Sequence, residues 1–214
     1  MKIEYLGHAC FRITSKNGCV VITDPYQGVG YELPIGLKAD FVTVSHGHFD
    51  HNHISAVECS NIVDGCQAIE QNGIRIEGIQ TFHDEKQGTL RGKNFVYKIT
   101  VDGKTVCHLG DLGEAYTEQL CARIGAVDVL LIPVGGKYTI DAIEAKKFVD
   151  GLGARVVIPM HYKPQDGALD IADASKFLSL FQTVNYEWKQ GEVDLSNWDW
   201  TKESREIIYL ERLK

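Results

Sequence analysis

An α/β sandwich, with two sheets packed face to face and helices on the outside, is the fold class this sequence predicts. Three observations predict it. The first half of the chain reads as short strands joined by tight turns, beyond Asp111 helical patterns alternate with buried strands, and no Pro- or Ser-rich linker divides the two regimes. Strands first and βαβ units later, in one continuous stretch, fit two packed sheets with outer helices. At 214 residues the chain can bury such a core as one unit, so a single domain over residues 1–214 is expected.

In order, Ile3–Tyr5 and Cys10–Ile13 read as short strands flanking Gly7-His8, and Asn17-Gly18 supplies the residues of a two-residue hairpin turn into Cys19–Thr23. Asp24-Pro25 ends this meander. A loop rich in Gly and Pro, residues 26–38, leads to the apolar run Phe41–Val44, a buried strand, and a short strand is expected near Ile62-Val63. The segment 73–83 is a strand ending at His83, and the polar, glycine-containing 84–93 reads as a flap. Phe95–Val101, Asp102-Gly103 and Lys104–Leu109 form a second hairpin. Helices are then expected over 116–124, 139–152 and 173–181, with strands at 127–134, 154–160 and 206–210.

Composition narrows the class further. A net charge of −7 argues against the broad phosphate-backbone footprint of a nucleic-acid binder, and no run approaches ~18 apolar residues, so no membrane segment is expected. The opening residues alternate like a strand and lack a signal peptide's apolar core, which predicts a cytoplasmic protein. Six cysteines without a Cys-x-x-Cys pair fit reduced thiols there. A small-molecule substrate is the expected partner, and a homo-oligomer stays open.

The chemistry concentrates in residues 45–53, where four of the eight histidines and one aspartate fall on a loop just past a predicted strand end. His46 and His48 can face one metal ion, while Asp50 and His51 turn to a second. Three more candidates, His83, Asp111 and His161, also lie just past strand ends. Together they make seven ligands: His46, His48 and His83 for one ion, Asp50, His51 and His161 for the other, and Asp111 able to bridge. Two divalent ions ~3.5–4 Å apart can share a hydroxide and act on a hydrolysable bond. Zinc stands first, and manganese, iron or nickel stay open, because without a thiolate in the set ligand softness does not select zinc.

On these residues the sequence resembles the metallo-β-lactamase superfamily, whose His-x-His-x-Asp-His signature stands here as His46 to His51. Leu6–Phe11, Thr23-Asp24-Pro25, Gly135-Gly136 and Tyr138–Asp141 are similar to its short single-domain hydrolases, the ascorbate-phosphate lactonase group and, more remotely, the phospholipase D of N-acylethanolamine phospholipids. The resemblance implies an αββα four-layer sandwich of two mixed sheets with the metals at the edge between them. It also implies a binuclear hydrolase of a phosphodiester or an ester such as a lactone, on a small or anionic substrate, with Asp50 and Asp111 catalytic. His8, which also follows a strand end, is a further catalytic candidate lining the site or a hydrogen-bonded structural histidine. A metal-binding sensor without catalysis and a nuclease of the same fold are the alternatives.

Several residues carry two readings. Relatives differ after the signature, where this chain has Asn52-His53, so His53 reaches substrate or is simply solvated. Gly136 and Tyr138 are substrate-binding candidates, Gly135-Gly136 as a tight turn or as amides facing an oxyanion. Lys137, Tyr162 and Lys163 fit a substrate site or a solvated loop. Asp24 reads as a partner behind the ligands or a turn former, and His108 as a satisfied core residue.

Overall fold

The computed structural model describes residues 1–183 and 191–213. Strands β1 (Lys2–Gly7), β2 (Cys10–Thr14) and β3 (Val20–Thr23) form the expected antiparallel meander. The β2–β3 turn is a correction. Lys16 to Gly18 make a three-residue loop between Ser15 and Cys19, whose backbones pair, and of the two turn residues only Gly18 takes a positive φ. A three-residue loop closed through one left-handed glycine is the next commonest hairpin after the two-residue form.

β4 (Leu37–Lys38), β5 (Phe41–Thr43), β6 (Val57–Glu58) and β7 (Ile62–Val63) follow; β5 lies parallel to β3 and β7 parallel to β5. The second sheet is built from β8 (Ala68–Gln71), β9 (Ile74–Phe82), β10 (Lys93–Val101), β11 (Lys104–His108), β12 (Val129–Pro133), β13 (Val156–Met160) and, after β14 (Glu192–Asp194), β15 (Glu206–Ile207). Its order is β15-β13-β12-β11-β10-β9-β8, parallel on one side and antiparallel on the other. The first sheet runs β14-β1-β2-β3-β5-β7.

Alternation decides what each face meets. Ile3, Tyr5, Phe11, Ile13, Val21 and Phe41 point at the second sheet's inner face, while Leu6, Cys10, Ile22 and Val42 point outward onto Tyr26, Val29, Tyr31, Leu37 and Val57. The first sheet's outer face is thus covered by loop. The helices gather on the second sheet: α1 (Glu118–Ile124), α2 (Ala142–Leu152) and the single turn α3 (Ser175–Leu178) bury Leu120, Phe148, Val149 and Phe177 into its core. Thr117 caps α1 through the amide of Leu120, and Asp141 caps α2 through those of Ile143 and Glu144. A capping carboxylate at Asp141 starts α2 three residues later than the pattern from Thr139 suggests.

Two expected elements lose more than half of their predicted length. α3 stops because the amides of Leu180 and Phe181 bond three residues back, a tightening that ends a helix. β15 stops because the tail leaves β13 after Ile208 and crosses to the first sheet, where the amide of Leu213 donates to Tyr5 O. Strand β8 was not legible from apolar alternation, since only Ile69 of its four residues is even half-buried. Its signal is the turn Asn72-Gly73, with φ of +56° and +78°.

All six cysteines are free thiols; Cys66 is exposed, Cys59 half-buried and the other four buried. Titration of the native protein with a bulky thiol reagent should therefore label Cys66 first and Cys59 more slowly, with six reacting once it is unfolded. Fewer than six in denaturant would reveal a bridge.

Candidate metal centre

The topology brings every singled-out strand end to one edge. β11, β12 and β13 are parallel, and β9 runs the same way because β10 lies antiparallel to both β9 and β11. His83, Asp111 and His161 therefore emerge together. Across the gap, β3 and β5 deliver Asp24 and the loop from Ser45 to His51, and the β1–β2 turn delivers His8. The two edges are stitched by hydrogen bonds: the Phe95 amide to Ser45 O (2.8 Å), the His161 amide to His8 O (2.8 Å) and the Tyr97 hydroxyl to Val44 O (2.9 Å).

The donor atoms fall into groups. His46, His48 and His83 form one, His8, Asp50, His51 and His161 another, and His46, His51 and Asp111 a third between them, each with its donor atoms within 4.8 Å of one another. Asp111 spans the first two: Oδ2 lies 3.2 Å from both His83 Nε2 and His161 Nε2, and Oδ1 lies 3.2 Å from His51 Nε2. All seven side chains singled out as ligands are brought together, and His8 joins them. Its Nε2 is 3.2 Å from His51 Nε2 and 3.3 Å from Asp50 Oδ2.

A single buried carboxylate orients one imidazole in each main group. Asp24 Oδ2 accepts from His51 Nδ1 (2.8 Å) and from the Ser45 hydroxyl (2.5 Å), and that hydroxyl in turn accepts from His46 Nδ1 (3.0 Å). Protons at Nδ1 leave the Nε2 lone pairs of His46 and His51 facing inward. Asp24 therefore stands behind the ligand cluster. His108 is satisfied within the core: Nε2 donates to Ala9 O (2.8 Å) and Nδ1 accepts from the Gly110 amide (3.2 Å).

The donor set fits divalent ions. His46 Nε2 and His48 Nδ1 are 3.0 Å apart, and nitrogens sharing one tetrahedral zinc lie roughly 3.3 Å apart. Asp111 Oδ1 is buried with no hydrogen-bond partner among the described residues. Burial, helped by neighbouring His161 and His51, lowers the pKa of His8 to about 3, and burial with His51 does the same for His46, which keeps their lone pairs available at neutral pH. Burial also opposes charge on His51, but Asp111 and Asp24 outweigh it and raise that pKa well above an ordinary imidazole's, so a metal ion at Nε2 would take the place of a proton there. The pocket favours positive charge at the point where the two groups meet.

The backbone is strained here. Among the few non-glycine residues with positive φ are His8 (+53°), Asp24 (+37°) and His161 (+49°), a conformation that costs energy and clusters at functional sites. Gly110, φ +56°, sits where a Cβ would meet Asn94 Oδ1 at 2.4 Å and Ser45 Cβ at 2.5 Å, so only glycine lets Asp111 reach the centre.

A model of the beta-lactamase superfamily domain matches residues 2–161, three quarters of the chain. The chain belongs to this superfamily. A metal-dependent hydrolase of Methanospirillum hungatei is 35% identical over 190 residues, covering 78% of this chain and 84% of the relative, and one of Thermoplasma acidophilum is 31% identical over 86% of this chain and 92% of the relative. A crystal structure from Thermotoga maritima, described as a Zn-dependent hydrolase of the metallo-β-lactamase superfamily, is 37% identical, covers 97% of each chain and superposes with a TM-score of 0.79. Superfamily membership accounts for the two mixed sheets.

The remaining candidates sit around this donor cluster rather than in it. His53 Nδ1 bonds to Tyr26 O (3.2 Å) and its amide to Pro25 O (2.7 Å), so it braces the loop beneath the signature and belongs to none of the donor groups. The Gly135 amide is taken by His161 O (3.1 Å), and Gly136, φ +63°, turns the chain and accepts from Tyr138 N. Of the open pair of readings for Gly135-Gly136, the tight turn describes the geometry. Tyr162 turns into the core and donates to Leu210 O, and Lys137 pairs with Asp170. Tyr138 is exposed, with the Arg91 guanidinium 5.6 Å from its ring. Sequence reasoning missed Asn94, whose Oδ1 accepts from the Asp111 amide (2.9 Å) while its Nδ2 donates to Thr81 Oγ1 and Leu109 O. An asparagine immediately ahead of the apolar run Phe95-Val96-Tyr97 was the available signal.

Proposed function

We propose that this protein is a metal-dependent hydrolase working with two divalent ions, zinc foremost, on a phosphodiester or ester bond of a small substrate. The observation that carries the reading is Asp111, one carboxylate touching donors of both groups. His46, His48 and His83 would hold one ion, Asp50, His51 and His161 the other, with Asp111 between them. Bound there, such ions supply hydroxide at neutral pH and Lewis acidity toward the scissile bond. Asp24 and Ser45 hold His46 and His51 in the tautomer that presents Nε2. His8, facing Asp50 across 3.3 Å, fixes that carboxylate and can hold a proton there. The relatives' names support hydrolysis, and the intact donor set argues against a silent sensor. Free thiols throughout support a cytoplasmic setting, and no helix among the described residues is long and apolar enough to cross a membrane.

Elemental analysis after reconstitution should find about two ions per chain, because seven donors exceed what one tetrahedral ion uses. A chelator should lower the melting temperature, since ions binding only the folded state stabilise it by roughly 4 kcal/mol at a thousand times their Kd. At most one ion, or an unchanged melting curve, would contradict the binuclear reading. The metal-defined protein assayed on phosphodiesters, phosphomonoesters, lactones and thioesters then separates the bond classes. Silence on all of them with metals retained would favour the sensor.

A further inference from the structure

Beside His46 and His48 opens a cavity of about 450 Å³ whose far wall carries Arg91 and Lys93. The wall's apolar part is Val44, Ile54 and Phe95, and its one carboxylate among the described residues is Asp64, which is exposed. Among the described residues, neither cation has an ion-pair partner within 4.0 Å, and neither side chain makes a hydrogen bond within the protein. Arg91 rests against the Tyr138 ring instead, 5.6 Å from its centroid. Elsewhere Lys137, Arg205 and Arg212 are ion-paired, and cations unpaired among the described residues, such as Lys16, Lys86 and Lys163, do not line this cavity. In a chain of net charge −7, two unpaired cations facing one cavity are the exception.

Their placement is built. The Asp84 carboxylate, 3% exposed, accepts from four backbone amides of the following loop: Lys86 (2.8 Å), Gly88 (3.0 Å), Leu90 (3.0 Å) and Arg91 itself (2.8 Å). What the sequence suggests as a flap is a loop wound around one buried anion. Arg91 is therefore presented at a fixed point, and Lys93 follows at the start of β10.

We infer that Arg91 and Lys93 form the anion-binding subsite of this cavity, so that the substrate carries a phosphate or phosphonate-like negative charge on the His48 side. The inference rests on the hydrolytic reading above. A planar guanidinium suits two oxygens of such a group at once, and Lys93 adds a point charge. Tyr138 supports the guanidinium from behind, which is how this side chain serves substrate without touching the donor cluster.

The test is calorimetric binding of phenylphosphonate, a non-hydrolysable dianion, to metal-loaded and to chelated protein, with acetohydroxamate as a small probe that engages the metals alone. Arg91→Gln should weaken phenylphosphonate roughly ten- to a hundred-fold in the loaded protein, Lys93→Gln less, and Arg91→Lys should restore part of the loss. Acetohydroxamate affinity, metal content and melting temperature should stay unchanged. In the chelated protein the phosphonate should bind more weakly yet still lose affinity with Arg91→Gln. Equal phosphonate binding by wild type and Arg91→Gln, no phosphonate binding by the wild type, or a parallel loss of both probes would overturn the subsite. Failure of the wild type to hold metals would sink the hydrolytic reading instead, and the chelated arm would still decide the subsite.

Discussion

Asp111→Asn should cost the protein its second metal and roughly a thousand-fold in turnover, more than the ten- to hundred-fold typical of a partner behind the ligands. Two dications ~4 Å apart repel by roughly 17 kcal/mol at an effective dielectric near 20. Among the described residues Asp111 is the one carboxylate within 3.2 Å of donors in both groups, and burial, which would push its carboxyl up, is outweighed by His161 and His51, so its pKa lies well below the usual range. The amide of asparagine keeps the shape and the bond to Asn94 from the main chain but supplies no charge. His53→Ala is the comparison, since its ring is hydrogen-bonded to Tyr26 O at 3.2 Å and lies outside every donor group among the described residues. Metal stoichiometry and turnover measured side by side should fall for Asp111→Asn and leave His53→Ala with its full metal content. The reverse result would place His53 among the ligands.

That comparison also marks how much of the site was legible in the sequence. The rule that chemistry lies just past strand ends located His46, His48, Asp50, His51, His83, Asp111 and His161, because parallel strands release their C-terminal ends at one edge and strand ends are readable from apolar runs. It could not separate His53 from His51, two residues away, because the 3-10 turn at Ile54–Ala56 swings the loop off the edge, and nothing in Asn52-His53-Ile54 announces that turn. Tyr162 failed for a related reason: His161 takes a positive φ, so the next side chain turns into the core. Arg91 lay in a polar stretch with no periodicity at all. Only the winding of that loop around Asp84 shows why the stretch is ordered.

Asp24→Asn tests the second claim about the centre, that one residue behind the ligands sets the tautomer of an imidazole in each group. The carboxylate accepts from His51 Nδ1 at 2.8 Å, from the Ser45 hydroxyl at 2.5 Å and from the Ser45 amide at 2.8 Å, and it is fully buried. Asparagine can satisfy the Ser45 amide through its oxygen, but its NH2 group then faces His51 Nδ1–H and the Ser45 hydroxyl, donor against donor. The cheapest relief is to move the His51 proton from Nδ1 to Nε2, which removes the lone pair that faces Asp111. The same exchange behind a catalytic histidine of serine proteases costs about 10⁴ in turnover while leaving the geometry intact. Here metal affinity should drop roughly a hundred-fold and turnover at least as much, with the main-chain fold preserved. Asp24→Ala should in addition destabilise by ~3–5 kcal/mol, since it strands buried partners. Nitrogen-15 NMR of the imidazoles reads the tautomer directly, and competitive chelation reads the affinity. An Asp24→Asn protein with His51 still protonated at Nδ1 and wild-type affinity would show that the ligands hold their own orientation, because the crowding of His8, His46 and His161 around His51, with ring centroids 4.4–5.6 Å away, would then suffice to fix the ring.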